Sequence, residues 1–281
     1  MFILPALFWL SFIVPVLFIL RKVTNFSDIR TSRHKKLCFF CSFVPKKDYL
    51  CSVKQILKAL SVYGIAYLVL LLVVLGLLYA YPKVELHLWL NSWHTDFLDT
   101  FFKYYSQLAE WPLYVLGLLP LLWRKKGFTL YYAVCELCGG VVVQILKHLF
   151  SAPRPIMVFE NYPDLVLPLV EGVSLHHSNS FPSGHTSTFF MFFTCCAIIL
   201  AYQYRQRVRQ TGRRSWIALS LATLPLLALA ALGGYSRIYL SQHFLSDVCV
   251  GSIIGFVMPF LIFGLCGDRL MKLNNERGLT T

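Results

Sequence analysis

The chain has 281 residues, a net charge of +13, 57% hydrophobic and 16% aromatic residues, only 14% charged residues and a mean hydropathy of +0.62. Soluble domains carry about 25% charged residues, so this composition excludes an ordinary soluble globule. Apolar runs near the ~20 residues that cross a bilayer mark an integral membrane protein instead. The positive charge does not point to nucleic acid, because the basic residues fall in the gaps between apolar runs, where they set topology beside anionic lipid.

In chain order the apolar runs predict seven spans, at 2–20, 60–81, 112–123, 128–149, 185–203, 216–234 and 245–266. The expected fold is all-α, a polytopic helical bundle of six core spans with an extra N-terminal hydrophobic helix. The first run has no basic leader and no clear small-residue cleavage site, so it reads as an anchor helix rather than a removed signal peptide. Residues 1–50 form this hydrophobic segment and its basic linker, and residues 51–281 form the membrane domain. His34, Cys38, Cys41 and Cys51 match no strong metal template, and no metal or cofactor is expected. Cys195, Cys196 and Cys249 fall inside apolar runs and read as small packing residues.

Residues 84–110 differ from their neighbours. Phe97, Phe101 and Tyr104 recur at helical spacing among Asp96, Asp99 and Lys103, which predicts a helix lying in the outer interface. Such a helix either anchors the fold or guides a lipid headgroup. The third span is short, closed by Trp111 and Trp123 and carrying Pro112 and Pro120, so it needs extension or tilt to cross.

Charge alternates between the spans. Arg21 to Lys58, then Arg124 to Lys126, then Arg205 to Arg214, and finally Arg269, Lys272 and Arg277 mark one side. The segments 82–111, 150–184 and 235–244 are poor in Lys and Arg and lie opposite. By the positive-inside rule the first set is cytoplasmic and the second lies outside.

Three polar clusters fall on that outer side. Lys147 closes the fourth span, and Pro153 and Pro155 prevent a helix from continuing through Arg154. A lone lysine at a helix end is usually a snorkelling anchor. The stretch Pro182-Ser183-Gly184-His185 opens the fifth span. A helix start offers unpaired amides to an anion, Gly184 lets that anion approach, and Ser183 adds a hydroxyl. His185 is superfluous to capping. The third cluster holds Arg237, His243 and Asp247. With a helix beginning near 243, His243 and Asp247 share a face, so the carboxylate orients the imidazole and leaves the other ring nitrogen as base or nucleophile. Taken together, the cations describe a phosphate pocket, and the two histidines describe a nucleophile and an acid for displacement at phosphorus.

Lys147, Arg154-Pro155, Pro182-Ser183-Gly184-His185, Ser236-Arg237, His243 and Asp247 together resemble the tripartite signature of the type 2 phosphatidic acid phosphatase family. The resemblance covers residues 55–266 and implies a six-span membrane core. It also implies that His243 attacks phosphorus while Asp247 orients it. His185 then protonates the leaving oxygen and activates water. Lys147, Arg154, Ser183, Gly184 and Arg237 hold the phosphoryl oxygens. Family members act on lipid phosphates or diphosphates without a required metal. Bacterial ones include undecaprenyl diphosphate, phosphatidylglycerophosphate and lipid A phosphatases.

The expectation is therefore a membrane lipid phosphatase of the bacterial inner-membrane type, its site facing outward, acting on a lipid phosphate with no obligatory protein partner. A phosphotransferase using the same phosphohistidine and a non-enzymatic transporter are the alternative classes. Glu160, Asp164, Glu171, His176 and His177 in the 150–184 loop are candidates to touch a headgroup. Glu136, inside the fourth span on nearly the face of Lys147, is a candidate to pair across the bundle.

Overall fold

The computed structural model of the chain describes residues 54–212 and 216–274. The expected span at 2–20, the 1–50 segment, and the group of His34, Cys38, Cys41 and Cys51 lie outside the described residues. Regular structure within the described residues is helical.

Helix α1, Ser61–Ala80, is apolar on all sides, as a helix facing lipid must be, and Pro82 ends it by forcing Tyr81 into an extended conformation. Two short helices follow, α2 at Lys83–Leu90 and α3 at Asp96–Gln107. The single interfacial helix expected over 84–110 is thus broken at 91–95, where Thr95 caps α3 by accepting from the Leu98 amide. Phe97 and Tyr104 on α3 are exposed, while Phe102 and Ser106 face the protein. Helix α4, Pro112–Leu118, runs into a 3₁₀ turn at Leu119–Leu121. This apolar stretch, the expected third span, is too short to cross a bilayer by its own length.

Helix α5 spans Lys126–Phe150 and stops where Ser151 takes a left-handed conformation ahead of Pro153. Arg154 is extended, and Pro155 starts the short α6, Pro155–Phe159. Helix α7, Gly184–Thr211, and helix α8, Trp216–Tyr239, are both longer than the apolar runs that marked them. Arg205 and Arg237 continue the helices at their ends, Arg237 as a buried residue whose guanidinium donates to Ser106 rather than to water. Arg237 accordingly sits in the last turn of α8 rather than in an outer loop. Helix α9, Leu245–Ile262, continues through a π-helical turn at Phe263–Gly267 into α10, Asp268–Lys272. Five helices in the described residues are long and apolar enough to cross a membrane: α1, α5 with its extension through α6, α7, α8 and α9.

Helix α7 is the most buried of these spans, packed between α8, α9 and α5, and α1 is the least buried. Its contact with α9 is unusually close. A methyl group on Gly251 would lie 2.5 Å from the Ser183 carbonyl oxygen, and one on Gly255 would lie 2.3 Å from that of Ser187. Small residues four apart let two membrane helices bring their backbones together. The Ser183 amide donates to the Asp247 carbonyl at 3.0 Å across this contact. Two of the three sequence clusters therefore meet at the α7–α9 contact.

Candidate active site

His243 lies just before α9, whose N-cap is Phe244. It therefore does not share a helical turn with Asp247, as a helix start at 243 would require. The pairing survives by another route. Asp247 is the third residue of α9, and its Oδ2 accepts from the Phe244 amide at 3.1 Å, which turns the carboxylate back over the helix start. From there Oδ2 faces His243 Nδ1 at 3.6 Å. The Ser180 hydroxyl donates to the same oxygen at 2.5 Å and lies 3.4 Å from His243 Nδ1. Both members of the pair are buried, with side chains 2% and 3% exposed. Burial, chiefly, holds His243 neutral well below the ordinary histidine range. The charges of Arg154 and Arg237 act in the same direction and Asp247 opposes them. A neutral ring with Nδ1 turned to a carboxylate keeps a lone pair on Nε2.

The start of α7 forms the next wall. Ser183 is its N-cap, fully buried, and its Oγ accepts from the Thr186 amide at 3.4 Å and the Thr186 hydroxyl at 2.9 Å. The Ser183 hydroxyl hydrogen remains available to donate. The first amides of α7, at Gly184 and His185, have no carbonyl one turn earlier in the helix to bond. A methyl on Gly184 would meet Val143 at 3.8 Å and Lys147 Nζ at 3.9 Å, so Lys147 bounds the space above this glycine. His185 is partly exposed, and its Nε2 faces Glu110 Oε1 at 3.7 Å.

Cations complete the enclosure. The Arg154 Nε donates to the Ser178 carbonyl, and Nη1 donates to both the main-chain and side-chain oxygens of Gln242. The other two of its five donors are on Nη2. Arg237 Nη1 donates to the Ser106 hydroxyl, and its Nε is buried without a partner. The amides of Gln242 and His243 both return to the Arg237 carbonyl, which holds the loop carrying His243 against this residue. Lys147 lies within electrostatic reach of Arg154, Arg237 and Asp247, and Arg237 acts on both His185 and His243. Lys147, Arg154, Ser183, Gly184, His185, Arg237, His243 and Asp247 are thus drawn to one end of the bundle.

Several supporting residues carried no motif signal. Ser106, Glu110, Ser180 and Gln242 are polar residues whose site partners lie 63 to 131 positions away, Glu110 among them through His185. Asn91 belongs with them: its Nδ2 donates to Ser241 Oγ at 2.6 Å, beside the loop carrying His243. In the 150–184 loop the candidates Glu160, Asp164, Glu171, His176 and His177 are exposed. Desolvation first, and then the charges of Arg154, Arg237 and Lys147, lower the His176 pKa. Glu136 is buried among hydroxyls, those of Tyr132 and Thr188.

Such an arrangement offers an anion three cations, a hydroxyl and a helix start, flanked by two imidazoles that each face a carboxylate. A model of the PAP2 superfamily matches residues 128–270, a little over half of the chain. The chain is 32% identical over 157 residues to a probable diacylglycerol pyrophosphate phosphatase of Schizosaccharomyces pombe, covering 51% of this chain and 53% of that protein. It is 25% identical over 178 residues to the undecaprenyl-diphosphatase BcrC of Bacillus subtilis, covering 61% and 77%. It spans about half the length of the S. pombe protein and of the Arabidopsis thaliana lipid phosphate phosphatases that it also matches. The crystal structure of a PAP2-type phosphatidylglycerolphosphate phosphatase from Bacillus subtilis shares the fold, with a TM-score of 0.50 at 18% identity over 73% of this chain and 94% of that one. With its motifs gathered at one site and its membrane-spanning helices arranged as in that fold, this multi-pass membrane protein belongs to the PAP2 superfamily.

Proposed function

We propose that residues 51–281 form a phosphatase that removes phosphate from a membrane lipid phosphate or diphosphate at the extracytoplasmic face. His243 Nε2 attacks phosphorus, with Asp247 orienting the ring through Nδ1. As the bond to the leaving oxygen breaks, His185 gives that oxygen its proton. His185 then takes a proton from water, whose oxygen attacks the phosphohistidine and releases phosphate and neutral His243. Lys147, Arg154, Arg237, the Ser183 hydroxyl and the amides at Gly184 hold the equatorial oxygens as charge redistributes. No cofactor is assigned a step.

The observation that carries this reading is the gathering of two imidazoles and three cations around the start of α7. The names of the relatives favour a lipid substrate, including diphosphates. Alternation of basic residues along the chain favours the outward face and an inner-membrane location of bacterial type. Undecaprenyl diphosphate, lipid A and phosphatidylglycerophosphate are the substrate types to assay first. The test is phosphate release by the purified protein in detergent with a chelator present, against a panel of lipid phosphates and diphosphates. Release that disappears in His243→Ala and His185→Ala proteins of unchanged fold is expected. Undiminished release in either variant removes the assigned role.

A further inference from the structure

We infer that Glu110 is a positioning residue for His185, holding the acid–base imidazole as Asp247 holds the nucleophile. This rests on the phosphatase reading above. The Glu110 carboxylate stands 3.7 Å from His185 Nε2, almost the 3.6 Å of the His243–Asp247 pair. Both separations exceed a hydrogen bond, and such contacts tighten when substrate closes the site. His185, and after it Arg237, hold the Glu110 carboxyl in its charged form, with burial opposing them.

The position of Glu110 is built by packing. It sits in the turn between α3 and α4, and its amide donates to the Gln107 carbonyl at 3.0 Å. The flanking residues dock on α7 one turn beyond His185. Tyr105 stacks on Phe189 with ring centroids 5.3 Å apart and planes 9° apart, and Ala109 and Leu113 are buried against the same ring. The Tyr105 hydroxyl donates to the Leu229 carbonyl on α8 at 2.9 Å. Just before this turn, Ser106 accepts from Arg237. The end of α3 thus supports two members of the site, through Ser106 and Glu110.

This arrangement gives Glu110 a definite part. With Nε2–H donated to Glu110, Nδ1 is the nitrogen left to exchange a proton. The Nδ1 proton passes to the leaving oxygen, whose bond to phosphorus breaks as the His243 nitrogen bonds to phosphorus. The water that later attacks returns a proton to Nδ1. Throughout, Glu110 keeps the Nε2 proton and balances the imidazolium charge. Its contribution is therefore confined to steps in which His185 moves a proton.

The test compares kcat/KM for a poor leaving group, phosphatidate in mixed micelles, with that for p-nitrophenyl phosphate, whose phenolate departs without a proton. In Glu110→Gln, phosphatidate hydrolysis is expected to fall about tenfold while p-nitrophenyl phosphate changes by less than about twofold. Preserved p-nitrophenyl phosphate turnover also shows that the variant is folded. Glu110→Asp, which restores a carboxylate, is expected to recover part of the loss. His185→Ala should show the same selectivity with a larger loss, about 10²-fold or more. A parallel fall for both substrates, no change, or a gain for both in Glu110→Gln overturns the inference. If the wild type releases no phosphate, or His185→Ala lacks the selectivity, it is the phosphatase reading or the acid role that fails.

Discussion

Two imidazole–carboxylate pairs stand at one end of the bundle in opposite surroundings. His243 and Asp247 are sealed, 2% and 3% exposed, behind Ser180, Phe244 and the close α7–α9 contact. His185 and Glu110 are open, 30% and 57% exposed, at the turn between α3 and α4. The contrast matches the work proposed for each. A nucleophile must stay neutral and fixed in one tautomer; burial does the first and the Asp247 carboxylate at Nδ1 does the second. An acid must exchange protons with leaving oxygen and water in turn, so it needs access. The same chemical pair serves both tasks because its environment differs.

The largest effect is expected from breaking the sealed pair. Asp247→Asn keeps the shape but can present an amide to Nδ1, favouring the wrong tautomer. Activity should fall by about 10³-fold or more, read as kcat/KM for p-nitrophenyl phosphate. Because that substrate needs no proton for its leaving group, it also separates this loss from any defect in the open pair. An Asp247→Asn enzyme within tenfold of wild type would falsify the orienting role.

Next comes an attempt to unseal the nucleophile without touching it. In Gly251→Ala the added methyl meets the Ser183 carbonyl at 2.5 Å, a backbone atom that cannot swing aside. Helices α7 and α9 must part, at a cost of about 1–3 kcal/mol in thermal unfolding in detergent, with activity falling alongside. Unchanged melting would mean that the contact is not tight enough to seal anything.

Acid should loosen the sealed side. His87 on α2 is 1% exposed, with both ring nitrogens unpartnered, and packs on Phe244, the neighbour of His243, at a centroid distance of 5.1 Å. Burial pushes its pKa from 6.5 down to about 4, and His243 is lowered as well. Below about 6.5 the unfolded chain takes up protons that the folded chain refuses, so stability falls with pH from about 6.5 toward about 4 and is level above that window. His87→Phe should recover up to roughly 3 kcal/mol at the acid end. Melting curves of the two proteins across this range check it.

The smallest effect belongs to the open side. Gly184→Ala meets only ordinary contacts at 3.8 Å and 3.9 Å, so its melting should match wild type. Its methyl nevertheless occupies space beside Lys147 where a phosphoryl oxygen would seat. A rise in KM of about tenfold is expected. An unchanged KM would move the anion seat away from this glycine.

Much of this was legible in the sequence because the chemistry is written in spacing. The run from Pro182 to His185, the interval from His243 to Asp247 and the prolines around Arg154 each constrain local backbone, and local backbone is what a single sequence specifies best. Apolar runs located the long helices but not their ends. Arg205 and Arg237 extend α7 and α8 as charged residues that hydropathy alone discards. The break at 91–95 was missed because aromatic periodicity continues across it, while Thr95 as a cap is a single-residue signal. Glu110, Ser106 and Ser180 stayed invisible for a different reason. Each acts on a partner supplied by another helix, and nothing in its neighbours announces that partner.

Segment 160–183 is tied down through its main chain. Carbonyls of Pro168, Glu171, Ser174, His177 and Ser178 accept from Asn91, Ser241, Lys103, Gln242 and Arg154, and the Ser180 amide reaches Ala152. Main-chain anchors are indifferent to which side chain each position carries. The exposed side chains of this segment are therefore free to change while the proposed catalytic groups stay in place, which makes it the part of the proposed phosphatase where lipid preference would diverge.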